Sequence, residues 1–260
     1  MAEIHFLSNI SEDFFTNENA PEQKPRYLYK TMPLKNFEKT LKNGLWFAKP
    51  STWPDPFEKR FYTAKQFKIE GEEIDNPLKD KFLCCCMTPI DQSEAHWSIY
   101  SRDEIGIQLK INREKLLSFL KSQPENYQFF IGKAEYQQEP EIKGKLIDNN
   151  FLGKDFDYQT KEDLAKILLL KRIPFKYEDE VRFIVTSNRG KKYKKNGISI
   201  KGEGKAFIDA IHSIKISPKC PKGMSTVLKK HIKQNLPSNI DVYQSHLFDE
   251  KKDKRTITIK

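Results

Sequence analysis

A chain of 260 residues can bury a substantial core in one domain, and an aromatic content of 12% is too high for an intrinsically disordered polymer. A charged fraction of 32% and a mean hydropathy of -0.72 describe a very polar surface, and no stretch nears the ~20 apolar residues of a membrane helix. The excess of 46 Lys and Arg over 36 Asp and Glu leaves a formal charge of +10, which favours anionic partners without specifying one, since scattered lysines also serve solubility alone.

In chain order, residues 1–26 are polar and interrupted by Pro21 and Pro25, so they read as an irregular leader with one apolar patch at Phe14 and Phe15. The first residues lack the basic and long apolar regions of a signal peptide, and Cys84, Cys85 and Cys86 are consecutive thiols that cannot readily bridge one another. A reduced, cytoplasmic setting is therefore expected. Residues 27–30 read as a strand, followed by a helix with Leu34, Phe37 and Leu41 on one face and Gly44 as its stop. Residues 45–48 form a second strand, and 50–57 a Pro-rich loop carrying Trp53 and Asp55, with Glu58 just beyond.

Residues 82–87 are a third strand, 93–100 one or two helical turns, and 106–111 a half-buried strand. Asn112 caps a helix bearing Leu116, Leu117 and Leu120. Residues 127–136 look extended, while 137–158 is polar and broken by Pro140, Gly144 and Gly153, as an insertion would be. Thr160 and Asp163 cap a helix carrying Leu164, Ile167, Leu168 and Lys171 that ends at Pro174. Strands at 181–186, 197–200 and 212–217, a helix at 226–234 and an extended segment at 240–244 complete the chain, with a basic turn at 189–195 and a charged tail at 249–260. The expected fold class is α+β: mixed, mainly antiparallel sheets with flanking helices, in one domain over 27–248.

Standard motifs are absent: there is no Gly-rich dinucleotide fingerprint, Walker A loop, HExxH or nucleophile elbow. Four clusters remain. If the late strand begins early, alternation puts Glu178, Glu180, Arg182 and Ile184 on one face and turns Tyr177, Val181 and Phe183 toward packing. Those acids and the guanidinium serve a ligand, a cation or an internal ion-pair ladder. His96, Trp97, Ser98 and Tyr100 offer either an aromatic wall or, the commoner outcome for such spacing, a buried helix. Asp55 and Glu58 lie in or beside the Pro-rich loop, and Asp55 fits a cap as well as a ligand. Tyr29 and Lys30 end the first strand, where they suit a cleft or a core edge. Cys84, Cys86 and His96 lack the spacing of structural zinc sites, so no metal is expected.

These pieces, in this order, resemble the bacterial domain-of-unknown-function 2971 family: Leu28-Tyr29-Lys30, Gly44-Leu45-Trp46-Phe47-Ala48 leading to Asp55-Pro56-Phe57-Glu58, Trp97-Ser98-Ile99-Tyr100 with Gly106-Ile107, and Tyr177-Glu178-Asp179-Glu180-Val181-Arg182. The resemblance runs from about residue 27 to 218, and Pro54 departs from the Asn usual before Asp-Pro-Phe-Glu. A second resemblance, of Glu178-Asp179-Glu180 entering a strand, is to the paired-glutamate turn of mono-ADP-ribosyltransferases. It implies a split pair of small sheets holding NAD as co-substrate, with Glu180 stabilising the developing positive charge and Glu178 positioning the acceptor. It further implies that Tyr29, Trp97 and Tyr100 pack on nicotinamide or ribose, that Lys30 and Arg182 neutralise pyrophosphate, and that the acceptor is nucleic acid or protein, with a defence or toxin role. Two rivals stand beside it. One is a metal-dependent nuclease using Asp55 with Glu141-Ile142-Lys143; the other is a non-catalytic nucleotide or nucleic-acid-binding module. Oligomeric state is not encoded in any of these patterns.

Overall fold

A computed structural model describes residues 1–7, 10–16, 26–69, 72–101, 105–148, 160–190, 192–202 and 206–248. Its strands are β1 (Glu3–Phe6), β2 (Tyr27–Pro33), β3 (Leu45–Ala48), β4 (Gln66–Ile69), β5 (Glu72–Asp75), β6 (Phe82–Met87), β7 (Gly106–Asn112), β8 (Tyr127–Lys133), β9 (Glu135–Gln137), β10 (Leu170–Arg172), β11 (Val181–Ser187), β12 (Gly197–Ile200), β13 (Ile211–Ile216) and β14 (Asp241–Gln244). The helices are α1 (Asp13–Thr16), α2 (Leu34–Asn43), α3 (Pro56–Thr63), α4 (Glu94–Tyr100), α5 (Arg113–Lys121), α6 (Glu139–Asp148), α7 (Lys161–Ile167) and α8 (Lys222–Gln234). The fold is α+β with mixed, mostly antiparallel sheets.

Two sheets organise it. A six-stranded sheet runs β1-β8-β11-β6-β3-β12 and a four-stranded one β14-β13-β7-β2. They touch where Tyr29 N–H donates to Thr88 O (2.7 Å) and Thr88 N–H returns to Tyr29 O (3.0 Å). Strand alternation then sorts the six-stranded sheet into two faces: Leu83, Cys85, Phe129, Ile131, Val181 and Phe183 enter the larger core, while Phe82, Cys84, Phe130 and Ile184 enter a smaller one with Leu164, Ile167 and Leu168. β11 is buried along its whole length, as a central strand covered on both faces must be.

Local chemistry explains several boundaries. Gly44 ends α2 at φ +91°, where a side chain would be strained and its Cβ would sit 2.1 Å from Ile200 O. Asn112 accepts from Lys115 N–H (3.0 Å) at the start of α5, and Thr160 and Asp163 cap α7 reciprocally.

Three segments differ from their sequence reading. Residues 3–6, within the leader read as irregular, form β1 alongside β8, with Glu3 opposite Gln128, and Phe14 and Phe15 are buried. Four residues whose partner is so distant leave no local signal. The polar stretch at 137–158 contains α6, because Pro140 sits in the first turn, where its missing N–H costs nothing, and Ile142 plugs the smaller core; residues 149–158 lie outside the described part. The helix read as reaching Lys171 stops at Ile167, and Lys171 becomes extended in β10, parallel to β9. The late strand begins at Val181, as read, and the early start that would have put Glu178 on its face does not occur: Ile173–Glu178 is a 3-10 helix and Asp179 is left-handed at φ +41°. The tail at 249–260 and Lys191 of the basic turn also lie outside the described residues. Among the described residues, no helix is long and apolar enough to cross a membrane.

Candidate active site

Where the two sheets diverge from the Tyr29–Thr88 junction, they leave a cleft of about 440 Å³, within the range of small-molecule sites. β2 supplies Tyr29 and Lys30; β6 supplies Cys84, Cys85 and Cys86; α4 supplies His96 and Tyr100; the loop into α3 supplies Asp55 and Glu58; and the chain from 171 to 182 supplies Lys171, Tyr177, Glu178, Glu180 and Arg182. All the candidate site residues except Trp97 thus converge on one cavity.

Its floor is a chain of buried charges. The Arg182 guanidinium, 1% exposed in the middle of β11, costs several kcal/mol to desolvate unless every nitrogen is paired. Its Nη2 donates to Glu58 Oε1 (2.7 Å), Nε to Glu180 Oε2 (2.8 Å) and Nη1 to Leu168 O (2.6 Å), and the Trp53 ring covers it at 4.5 Å. Lys171 continues the series, with Nζ 3.2 Å from Glu180 Oε1 and 2.5 Å from Glu178 Oε2, on which the Tyr100 hydroxyl also donates (3.0 Å). The order Glu58, Arg182, Glu180, Lys171, Glu178 alternates in sign and ends with one carboxylate in excess.

That excess decides the protonation pattern. Burial alone would raise Glu180, but Arg182 and Lys171 together overcome it and hold the carboxyl down to about 2. Glu178 is raised by burial and by the neighbouring Glu180 charge, up to about 6, because Lys171 is the only cation it touches in this series. Burial pushes the Cys84, Cys85 and Cys86 thiols up, which keeps them protonated and poor nucleophiles, and it lowers His96, which stays neutral. Tyr100 is raised by burial and by Glu180 and Glu178.

For several residues the structure decides between the alternatives that the sequence left open. Trp97 is 2% exposed and packs beside Gly106, where a Cβ would meet its ring at 3.0 Å, so it supports α4 and does not line the cleft. Arg182 lies inward, with each of its three nitrogens donating to a protein oxygen, so the ion-pair ladder is the role that its geometry displays. Tyr177, read as facing the packing side, is 42% exposed at the cleft mouth, because the 3-10 turn, not a strand, carries it. Lys30 donates to Cys86 O (2.9 Å) from a half-buried position. Asp55 caps α3 by accepting from Phe57 N–H (2.9 Å) and pairs with Arg172 (2.5 Å).

Lys171 is the functional residue that sequence reasoning missed. Its signal was a lysine that directly follows the apolar run Ile167-Leu168-Leu169-Leu170, three residues before Pro174: a cation drawn in with such a run needs buried carboxylates, and the proline disfavours helix at Ile173 before it. Tyr136 was also missed; its hydroxyl accepts from Glu180 N–H (2.9 Å) and fixes the backbone at the turn into β11. Among the described residues, no group of three His, Cys, Asp or Glu is arranged to hold a metal ion.

Residues 96–183 match a family described as a protein of unknown function, DUF2971. The match contains the pieces from Trp97 to Arg182 that carry the sequence resemblance, whereas those between Leu28 and Glu58 lie outside it. No curated protein matches. Among solved structures, Thermus sp. 2.9 DarT in complex with NAD+ aligns at a TM-score of 0.38 and 11% identity, covering 86% of this chain and 96% of that one. The same protein in complex with ADP-ribosylated ssDNA aligns at 0.38 and 11%, covering 85% and 94%. Similarity at this level says nothing of chemistry.

Proposed function

We propose that the cleft is the active site of an ADP-ribosyltransferase-like enzyme that uses NAD as co-substrate and a nucleic acid or a protein as acceptor. The observation that carries this reading is the buried series of alternating charges, which presents one unbalanced carboxylate to a cavity of ligand size with aromatic groups above it. A site with surplus negative charge and a low dielectric favours a reaction whose transition state becomes positive. Cleavage of a ribose–nicotinamide bond is such a reaction: nicotinamide leaves with the bonding electron pair, and an oxocarbenium-like C1′ is left behind.

Within this scheme Glu180, ionised and held by Arg182 and Lys171, stabilises the positive charge at C1′. Glu178 carries a carboxyl raised toward neutrality, which suits it to take the proton from the acceptor atom as that atom's lone pair forms the new C1′ bond. Lys171 positions both carboxylates, and Tyr100 orients Glu178 while its ring faces the cavity. Tyr29 and Lys30 come from the opposing sheet, Lys30 being the cation placed for pyrophosphate; Arg182 is a positioning residue. His96 closes the wall as a neutral imidazole.

The nuclease rival draws no comparable support. Asp55 is committed to Phe57 N–H and Arg172, and Glu141 accepts from Gln138 N–H at the start of its own helix, away from the cleft lining. A defence or toxin role accords with transfer to nucleic acid, and the cytoplasm holds both co-substrate and acceptor.

Incubation with labelled NAD and cell extract tests the reading through nicotinamide release and label transfer together. Wild type is expected to show both, and Glu180→Gln to lose about 10²–10³-fold. Equal, background-level release from the two proteins removes the transferase, and NAD binding without release leaves a binding module.

A further inference from the structure

Trp46 is 44% exposed at the cleft mouth, although strand alternation places its neighbours Leu45 and Phe47 in the core. It is also held rigidly. β12 pairs with β3 so that Gly197 lies opposite Ala48, and a Cβ at Gly197 would stand 2.4 Å from the Trp46 six-membered ring and 2.3 Å from Phe47 O. The indole therefore packs against bare backbone at Gly197, and it stays partly open to solvent. A large aromatic surface kept exposed in a fixed orientation is prepared for a flat partner at little conformational cost.

On the side away from the acidic floor, a basic turn lies next to it. The basic turn leads directly into β12: Lys49 N–H donates to Asn196 O (2.8 Å), and Lys192, Lys194 and Lys195 are exposed immediately upstream. Lys195 lies two residues from Gly197, hence within about 8 Å along the backbone. Lys49 is already matched by Asp80, and Tyr193 is buried with its N–H on Asp80 O, so the turn is anchored between its exposed lysines. By sequence this turn reads equally as a contact for nucleic acid or as a solvated hairpin; the tertiary structure sets it beside the indole.

The geometry points to a docking surface for single-stranded nucleic acid, in which Trp46 stacks an unpaired base while Lys192, Lys194 and Lys195 follow the phosphates toward the cleft. Stacking on an aromatic platform beside a positive track is how proteins hold unpaired strands with little sequence preference, and a duplex offers no free base face to the indole. The inference extends the transferase reading by naming the acceptor, and strand binding can be measured without NAD.

Anisotropy of labelled 16-nucleotide single strands, DNA and RNA, and of the matching duplex is the test. Wild type is expected to prefer a single strand to duplex; Trp46→Ala is expected to weaken it about 10-fold or more, and Trp46→Phe to retain most of it. Lys194→Ala with Lys195→Ala is expected to lower the slope of log affinity against log salt by about 1.4. Thermal melting confirms that each variant is folded, and the exposed lysine pair provides a second route should Trp46→Ala unfold. Equal binding of duplex, indifference to Trp46→Ala, or a loss confined to NAD affinity would each overturn the surface. Strand binding with no nicotinamide release by the wild type keeps this surface and removes the transferase; release without strand binding does the reverse.

Discussion

On the floor of the cleft, Glu58, Arg182, Glu180, Lys171 and Glu178 are at most 6% exposed, and each touches a charge of opposite sign; at its mouth, Trp46, Ile99, Tyr100 and Tyr177 keep 37–44% of their surface in water. The two regions share a cavity but answer to different forces. A desolvated charge network holds its geometry because breaking any link strands another buried charge. Exposed aromatic groups stabilise the fold little and are kept at a cost in solvation that only a partner offsets. Damage to the floor should therefore appear first as lost stability, and damage to the mouth as lost binding in a protein that folds normally.

The strongest challenge to this division is Arg182→Met, which strands Glu58, leaves Glu180 to Lys171 alone and uncovers Trp53. A loss of about 3–5 kcal/mol is expected in urea denaturation; a loss below 1 kcal/mol would show that the network is wetter and weaker than its geometry implies.

The pH dependence sharpens the comparison on a smaller scale. Folding raises Glu178 from an ordinary 4.5 to about 6, so between these values the folded protein keeps a proton that the unfolded chain has released. Stability from this group is complete below pH 4.5 and falls as pH rises toward 6, by about 2 kcal/mol. Glu180, held down to about 2, acts in the opposite sense: its contribution is present above pH 4.5 and is lost as pH falls toward 2. Glu178→Gln should flatten the decline between pH 4.5 and 6 in denaturation midpoints, whereas an unchanged slope would place the proton on another group.

The smallest effect belongs to the mouth. Trp46→Ala should change unfolding free energy by no more than about 0.5 kcal/mol, since its exposed ring contributes little to the core. A larger loss in the same denaturation assay would make Trp46 a structural plug and erase the contrast.

Much of the scaffold was legible because its signals are local. β6 and β11 are apolar runs, Gly44 terminates α2, and Asn112 and Thr160 cap their helices within four residues of the N–H groups they satisfy. The convergence of Glu178 and Glu180 was legible in kind, although the expected mechanism of strand alternation does not operate: a left-handed Asp179 joins a 3-10 turn to β11, and Lys171 gathers both acids. β1 and Lys171 escaped because their states depend on strands far away in the chain, whereas the burial of Trp97 is the commoner outcome that its helical spacing allowed, against the ligand contact implied by the resemblance.

By itself, the sequence determined the α+β class, most of the core strands and caps, and the residue types that must find partners: a lysine at the end of one apolar run and an arginine within another, with acids nearby. Only tertiary structure decided which partners they found. It folded Arg182 inward onto Glu58 and Glu180, and it laid the basic turn beside Trp46. Caps and hydrophobic runs are settled within a few bonds of the chain, whereas the energy of a buried charge depends on every group the fold brings within a few ångströms.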